Sequence, residues 1–147
     1  MWRSLSRTRA RPTWRIAGAL VVLVLCGSIA SATDTAGLGD AGPVLERYFQ
    51  ALKTGDVGTL ESVLGGDLLA RRRPLLENPT YPSELIAAYG NAQFGVVGWT
   101  WRQSKTMRVD VAVVLDANES VKWRLTMQRD NLTKAGLLIV DTTTLTK

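Results

Sequence analysis

The side chains that could carry chemistry in this chain are few. It contains no histidine and a single cysteine, Cys26, among 147 residues. Protein metal sites usually need histidine or cysteine ligands, and nucleophilic dyads and triads need a histidine or a reactive thiol. The sequence also has no glycine-rich phosphate loop and no nucleophile elbow. We therefore expect no metal, no cofactor and no catalytic residue of these kinds.

Four aromatic side chains are candidates for lining a ligand-binding cavity. Tyr48 lies on the apolar stripe of a predicted helix. Trp99 and Trp101 share one face of a predicted strand, and Trp123 faces inward on another. Side chains of this size line a pocket in some proteins and fill a core in others. Core packing is favoured for Tyr48 and Trp123, and both alternatives stay open for Trp99 and Trp101.

Two charged groups are candidate interaction surfaces. Arg71, Arg72 and Arg73 are consecutive and could form a basic patch for an anionic lipid headgroup or an acidic partner. Such runs more often form a solvated edge. The polar face of the predicted sheet is a candidate homodimer surface, although charged residues facing water explain it equally well; its members are Arg108, Asp110, Lys122, Arg124, Thr126 and Gln128.

The first 32 residues predict export. Five arginines precede an uncharged apolar run at 16–32, which ends in the small residues that signal peptidases read. We expect cleavage between Ala32 and Thr33 and a periplasmic or secreted product. Two alternatives stay open. The run could be retained as a single-pass anchor, since spans of about 17 residues occur. Cys26 could be lipidated, although Leu25 is a poor match to a lipobox.

The basic charge of the chain belongs to this leader. The whole chain has 18 Lys and Arg residues against 13 Asp and Glu residues, but 13 basic residues remain once the five leader arginines are set aside. A neutral domain gives no electrostatic case for a nucleic-acid partner, and membrane contact is expected only through the leader. Residues 33–42 predict a linker, and 43–147 are enough for one domain. That domain has no cysteine and hence no disulfide.

Three helices are expected at the start of the domain. Pro43 suits the first position of one helix, and Gly55 suits its left-handed cap. Asp56 is suited to cap a short second helix. A third helix is predicted at 82–89, whereas 67–76 could be a helical turn or a short strand. The positions predicted to face inward are Leu45, Tyr48, Phe49 and Leu52 in the first helix and Leu85, Ile86 and Tyr89 in the third.

The period changes from helical to two after these helices. Alternation at 107–115 and 121–128 predicts two strands with one buried face, and 93–103 and 136–145 add two more. The sequence thus predicts an α+β fold, with three helices on one face of a curved antiparallel sheet of about four strands. A turn at 117–119 would pair Val113 with Trp123, Val111 with Leu125 and Val109 with Met127.

The segment LERYFQALKTGD (45–56) and the order of the elements resemble the nuclear transport factor 2-like superfamily. The resemblance covers most of residues 43–145 and implies a cone-shaped, cystatin-like fold. The superfamily includes ketosteroid isomerases, polyketide cyclases, epoxide hydrolases and many non-catalytic binding domains. In the isomerases a tyrosine of the first helix helps to form an oxyanion hole, and Tyr48 matches it. Those enzymes also need a carboxylate base after the second helix, but the matching stretch, 68–73, has none.

The resemblance and the missing base predict an exported, non-catalytic domain that binds a small apolar ligand or a protein partner. One alternative is a membrane-anchored component of an envelope or secretion assembly, because such systems use a basic tail, one span and a domain of this fold. The other is a divergent isomerase-like or cyclase-like enzyme that uses Asp110 or Asp141 as its base beside Tyr48.

Overall fold

The computed structural model describes residues 37–103, 105–116, 119–130 and 136–145. The predicted leader, its cleavage point at Ala32 and Thr33, and Cys26 lie outside these residues. The described elements are four helices followed by four strands: α1 (Ala41–Thr54), α2 (Val57–Val63), α3 (Gly66–Leu76), α4 (Tyr81–Tyr89), β1 (Gln93–Arg102), β2 (Thr106–Val114), β3 (Ser120–Arg129) and β4 (Leu137–Leu145). This confirms the α+β class and the antiparallel sheet.

The first helix begins two residues before the position that Pro43 suggested. It starts at Ala41, and Leu38 just before it is buried at 2% exposure. The part of the predicted linker closest to the domain is therefore packed against the core. The predicted stripe is buried, and the helix ends at Gly55, which has a φ of 67°. Left-handed backbone of this kind favours glycine because it has no Cβ.

The cap at Asp56 is confirmed. Its Oδ1 accepts a hydrogen bond from the Thr59 backbone N–H at 2.9 Å, which satisfies one of the free donors at the start of α2. The helix is short because Gly65 and Gly66 follow it, and Leu60 and Val63 are its buried residues.

The ambiguous segment is a helix, so the prediction of three helices is wrong by one. In α3 only Leu68 is fully buried, and a proline, Pro74, lies inside the helix. That weak apolar face is why the periodicity was ambiguous. Pro74 lies in the last turn, and α3 ends two residues after it, so the disruption that a proline causes is confined to the helix end.

The fourth helix matches the predicted third helix except on one face. Leu85 is buried at 4% exposure, but Ile86 is 49% exposed. The prediction that Ile86 faces inward is therefore wrong. Adjacent helical residues are rotated by about 100° from each other, and it is Tyr81 and Leu85, four residues apart, that mark the buried side.

The sheet is a meander in the order β1-β2-β3-β4 with every pair antiparallel. The predicted pairing of β2 with β3 is wrong by two residues. The structure pairs Val113 with Val121, Val111 with Trp123, Val109 with Leu125 and Met107 with Met127. The connection runs from Leu115 to Glu119, whose carbonyl accepts the Leu115 N–H at 2.9 Å. Each apolar residue still meets an apolar partner, because a shift by two preserves the buried face.

Two bulges change which side chains face the helices. In β1 the pairing skips Val97, between Val96 and Gly98. In β4 it skips Val140, since Met127 pairs with Ile139 and Thr126 pairs with Asp141. A bulge inserts one residue into one strand and so reverses the alternation beyond it. On β4, residues 142 and 144 therefore face the helices, where strict alternation would have put 141 and 143.

The connection between α2 and α3 is fixed to β4 at this bulge. The Gly65 N–H donates to the Ile139 carbonyl at 2.9 Å, and Leu64 forms an isolated parallel bridge with Ile139. A Cβ on Gly65 would lie 2.8 Å from Leu138 Cδ1, so a larger residue would push the two elements apart. This attachment places α3 alongside β4. None of the four described helices is long and apolar enough to cross a membrane.

Candidate functional site

A cavity of about 350 Å³ lies between the four helices and the strands β3 and β4. Its lining mixes apolar and polar residues in nearly equal number. The apolar lining consists of Leu52, Leu60, Leu64, Leu68, Leu76, Leu85, Ala88 and Trp123. The polar lining consists of Tyr48, Arg72, Tyr81, Glu84, Tyr89, Thr142 and Thr144.

Tyr48 reaches the cavity from α1 together with Leu52, four residues further along the same helical face. The tyrosine is buried at 6% exposure. Burial raises the pKa of its hydroxyl to about 12, although the nearby charge of Arg72 opposes the rise. The hydroxyl is therefore protonated at neutral pH and able to donate a hydrogen bond.

Arg72 reaches the cavity from α3. It occupies the middle of an i, i+4, i+8 row with Leu68 and Leu76, and all three residues line the cavity. Its Nη1 donates to Tyr81 Oη at 3.4 Å. Burial raises the pKa of Tyr89, and the charge of Arg72 opposes this rise. One cation thus lies among three tyrosines.

The three consecutive arginines have different environments, and the basic patch stays a prediction. Arg71 Nη2 lies 3.0 Å from Asp141 Oδ1 on β4, Arg72 lines the cavity, and Arg73 is exposed. The cause is the helix: successive side chains of α3 project about 100° apart.

The sheet contributes two polar residues to the cavity lining, and Thr142 is more buried than Thr144. Its Oγ1 is buried and has no hydrogen-bond partner of acceptable geometry in the described part of the chain. The Tyr48 hydroxyl lies beside it, and the weak hydrogen bond between the two side chains lowers the pKa of Tyr48 against the larger effect of burial. An unsatisfied buried hydroxyl costs about 1–3 kcal/mol, and such a group calls for an explanation.

The two aspartates considered as a base do not line the cavity. Asp110 lies on the other face of the sheet, where Arg124 Nε and Nη2 donate to its two carboxylate oxygens at 2.7 and 2.8 Å. These hydrogen bonds lower the pKa of Asp110. Asp141 is turned away by the bulge in β4 and is bound by Arg71 and by Thr143. Neither carboxylate accompanies Tyr48.

Glu84 is the carboxylate that does line the cavity, and the sequence did not single it out. It lies on the first turn of α4, and its Oε1 accepts a hydrogen bond from Thr80 Oγ1 at 2.9 Å. Glu84 is exposed, as is Ala88 one turn along the same helix. These two residues form the outer edge of the cavity.

Of the four predicted cavity-lining aromatics, the structure brings together Tyr48 and Trp123. Trp123 makes an edge-to-face contact with Tyr89, with ring centroids 5.6 Å apart. Trp99 and Trp101 lie elsewhere, on β1. They share the helix-facing side with Val109 and Met107, their partners on β2, but are 44% and 40% exposed. Since Val109 and Met107 are themselves fully buried, the cover over this end of the sheet stops at β2 and does not extend across the edge strand.

The polar sheet face has the predicted members. Arg108 pairs with Thr126, Asp110 with Arg124, and Ala112 with Lys122 across β2 and β3. The homodimer through this face stays a prediction.

In the described ranges no three His, Cys, Asp or Glu residues group in a way that could hold a metal ion.

Arg72 and Thr142 were not recognised as cavity residues from the sequence. Arg72 could have been found, because a charged residue four positions from Leu68 and four from Leu76 interrupts a row of apolar side chains. Thr142 had no such signal, since its orientation depends on the bulge.

No protein-family model, no curated protein and no solved structure matches the chain.

Proposed function

We propose that this domain is an exported, non-catalytic binding protein that holds a small, largely apolar molecule in the cavity between its helices and its sheet. The observation that carries the proposal is the cavity itself. It has about 350 Å³ of space, and its lining combines six leucines, an alanine and a tryptophan with seven polar residues. Pockets with this division of lining are the usual places for small ligands.

We further propose that the domain is a member of the nuclear transport factor 2-like superfamily. Four helices followed by an antiparallel meander support the assignment, as does the Gly55-Asp56 junction between α1 and α2. A cavity reached by a first-helix tyrosine also supports it. The arginine-rich leader and the small residues before Thr33 support export. Sequencing the N-terminus of the natively processed protein tests that part, and a first residue of Thr33 is expected.

A binding role is favoured over catalysis because the cavity lacks a well-placed base. A general base must lie within hydrogen-bond reach of the proton that it removes. Glu84 is the carboxylate of the cavity lining, and it is bound to Thr80 at the exposed edge. A turnover screen on ketosteroid, epoxide and ester substrates tests this. Turnover that disappears in both Tyr48→Phe and Glu84→Gln would overturn the non-catalytic assignment.

The binding experiment uses N-phenylnaphthylamine, a neutral apolar fluorophore. Trp123 lines the cavity, so bound probe should accept energy from tryptophan and show enhanced emission. Ala88→Trp places a bulky side chain at the cavity edge and should abolish the signal. Ala87→Trp is the matched control, because Ala87 is exposed on the same helix but does not line the cavity. Equal binding by both variants would contradict the proposal.

A second candidate, a protein partner, is favoured by one observation. Val97, Trp99 and Trp101 are exposed on β1, which is an edge strand of the sheet. Exposed apolar edge strands are common sites of association. A membrane-anchored assembly component would use such an edge. Recovery of uncleaved chain in the membrane fraction supports this candidate, whereas a mature N-terminus at Thr33 excludes the anchored form.

A further inference from the structure

We propose that the ligand of the cavity is an amphipathic carboxylate, such as a medium-chain fatty acid, with its carboxylate bound by Arg72 and its chain lying on the leucines. This inference rests on the proposed binding function and goes beyond it by naming the chemical class. The alternatives to it are a neutral apolar ligand and an anionic membrane surface.

The first support is the charge balance around Arg72. Within the described residues no carboxylate oxygen lies within 4.0 Å of its guanidinium, whereas Arg71, Arg124 and Arg129 each have such a partner. Glu84 lines the same cavity but lies at its exposed edge, where it accepts a hydrogen bond from Thr80, and Asp141 is bound by Arg71 outside the cavity. A half-buried cation without a counter-ion at a cavity wall is a ready site for an anion.

The second support is the set of hydroxyl groups around that cation. Tyr81 Oη accepts a hydrogen bond from Arg72 at 3.4 Å, which leaves its own proton free to be donated. Tyr48 donates as well, because its hydroxyl stays protonated at neutral pH. Thr142 Oγ1 is buried, and among the described residues its contact with the Tyr48 hydroxyl is too weak to count as a well-formed hydrogen bond, so it can turn to a ligand. A carboxylate accepts several hydrogen bonds at once and satisfies such a group.

The third support is the rest of the lining. A small inorganic anion would contact the polar groups and would leave the leucine side chains uncovered. Leu68 and Leu76 flank Arg72 on its own helix, and Leu52, Leu60, Leu64 and Leu85 continue the apolar surface from other elements. A ligand that has both a charged head and an apolar chain can contact both kinds of lining residue.

A membrane surface is the less favoured source of the anion. Only Arg73 of the three consecutive arginines is exposed without lining the cavity or forming an ion pair in the described structure. One such side chain is a weak electrostatic site, because stable membrane attachment needs several basic residues.

The experiment measures displacement of N-phenylnaphthylamine by decanoate and by decanol, which differ in the head group. Decanoate is expected to bind at least about tenfold more tightly than decanol. Arg72→Gln should remove this preference, and Arg72→Lys, which keeps the charge, should retain part of it. Arg73→Gln is the matched control and should leave both affinities unchanged. Thermal unfolding of each variant identifies loss of folding.

The outcomes separate the two proposals. Equal displacement by decanol and decanoate, or an equal effect of Arg72→Gln and Arg73→Gln, would overturn the carboxylate assignment while the binding function stands. No binding of the fluorophore to the wild-type chain, together with no heat of decanoate binding in calorimetry, would overturn both. Sedimentation with phosphatidylglycerol vesicles that depends equally on Arg72 and Arg73 would place the anion site at a membrane and contradict the inference.

Discussion

Asp141 and Thr142 are adjacent in the chain but have opposite environments, because Arg71 binds the Asp141 carboxylate at 3.0 Å outside the cavity while Thr142 lines it. The bulge at Val140 produces this arrangement, since it reverses the alternation of β4. Without it the carboxylate would face Tyr48. The bulge therefore replaces a charged group at the cavity wall with a hydroxyl.

The first prediction concerns the effect of the Thr142 hydroxyl on the free energy of unfolding. Thr142→Val removes a buried, unpartnered Oγ1 and keeps the shape of the side chain. We expect the free energy of unfolding to rise by about 1 kcal/mol in urea denaturation. If the hydroxyl serves a ligand, the same variant should bind decanoate more weakly.

The control for this prediction is Thr143→Val. Thr143 is exposed, and its Oγ1 donates to Asp141 at 3.2 Å. Its replacement should leave the stability unchanged within about 0.5 kcal/mol. A loss of stability in Thr142→Val would mean that the buried hydroxyl has a partner after all.

The second prediction concerns Tyr48 at alkaline pH. Its pKa rises from 10.0 to about 12 on folding, so the folded state holds the proton more tightly than the unfolded state. The stability that this contributes is fully present below pH 10 and is lost as the pH rises from 10 towards 12. Between about pH 8 and about pH 11 the wild type should lose about 1.4 kcal/mol more stability than Tyr48→Phe. Parallel pH profiles for the two proteins would show that the tyrosine is not buried as described.

The third prediction separates the two faces of α4. Leu85 is 4% exposed and lines the cavity, whereas Ile86 is 49% exposed. Leu85→Ala should lower the free energy of unfolding by about 2–4 kcal/mol, and Ile86→Ala should change it by less than about 0.5 kcal/mol. Urea denaturation of both variants checks this, and a larger effect at Ile86 would support the inward orientation that the sequence suggested.

The fold class was predictable from the sequence, but the pairing of β2 with β3 was not. Strand periodicity has a period of two, so a shift by two residues leaves every side chain on its own face. Val111 meets an apolar partner whether it pairs with Leu125 or with Trp123. Only the geometry of the connection distinguishes the registers, and that geometry depends on the hydrogen bond between Leu115 and Glu119.

The site was predictable only where a single element determines it. Tyr48 and Trp123 follow from the periodicity of one helix and one strand. Thr142 depends on the bulge in β4, which lies where Leu64 and Gly65 attach to Ile139 from a distant part of the chain. Such a long-range contact leaves no local pattern, and strict alternation from Ile139 would place Asp141 on the inner face instead.

The last prediction concerns Gly55, the residue that joins α1 to α2. Its φ is +67°, and a Cβ would lie 2.5 Å from the Pro82 carbonyl oxygen of α4. Gly55→Ala therefore meets both backbone strain and overlap, and we expect a loss of about 3 kcal/mol in the free energy of unfolding. Gly39→Ala is the control, because Gly39 has a φ of +53° but no atom within 4 Å of its Cβ position. It should cost about 1 kcal/mol. Equal losses in the two variants would show that the approach of Pro82 to Gly55 contributes nothing, and that left-handed backbone alone explains the glycine.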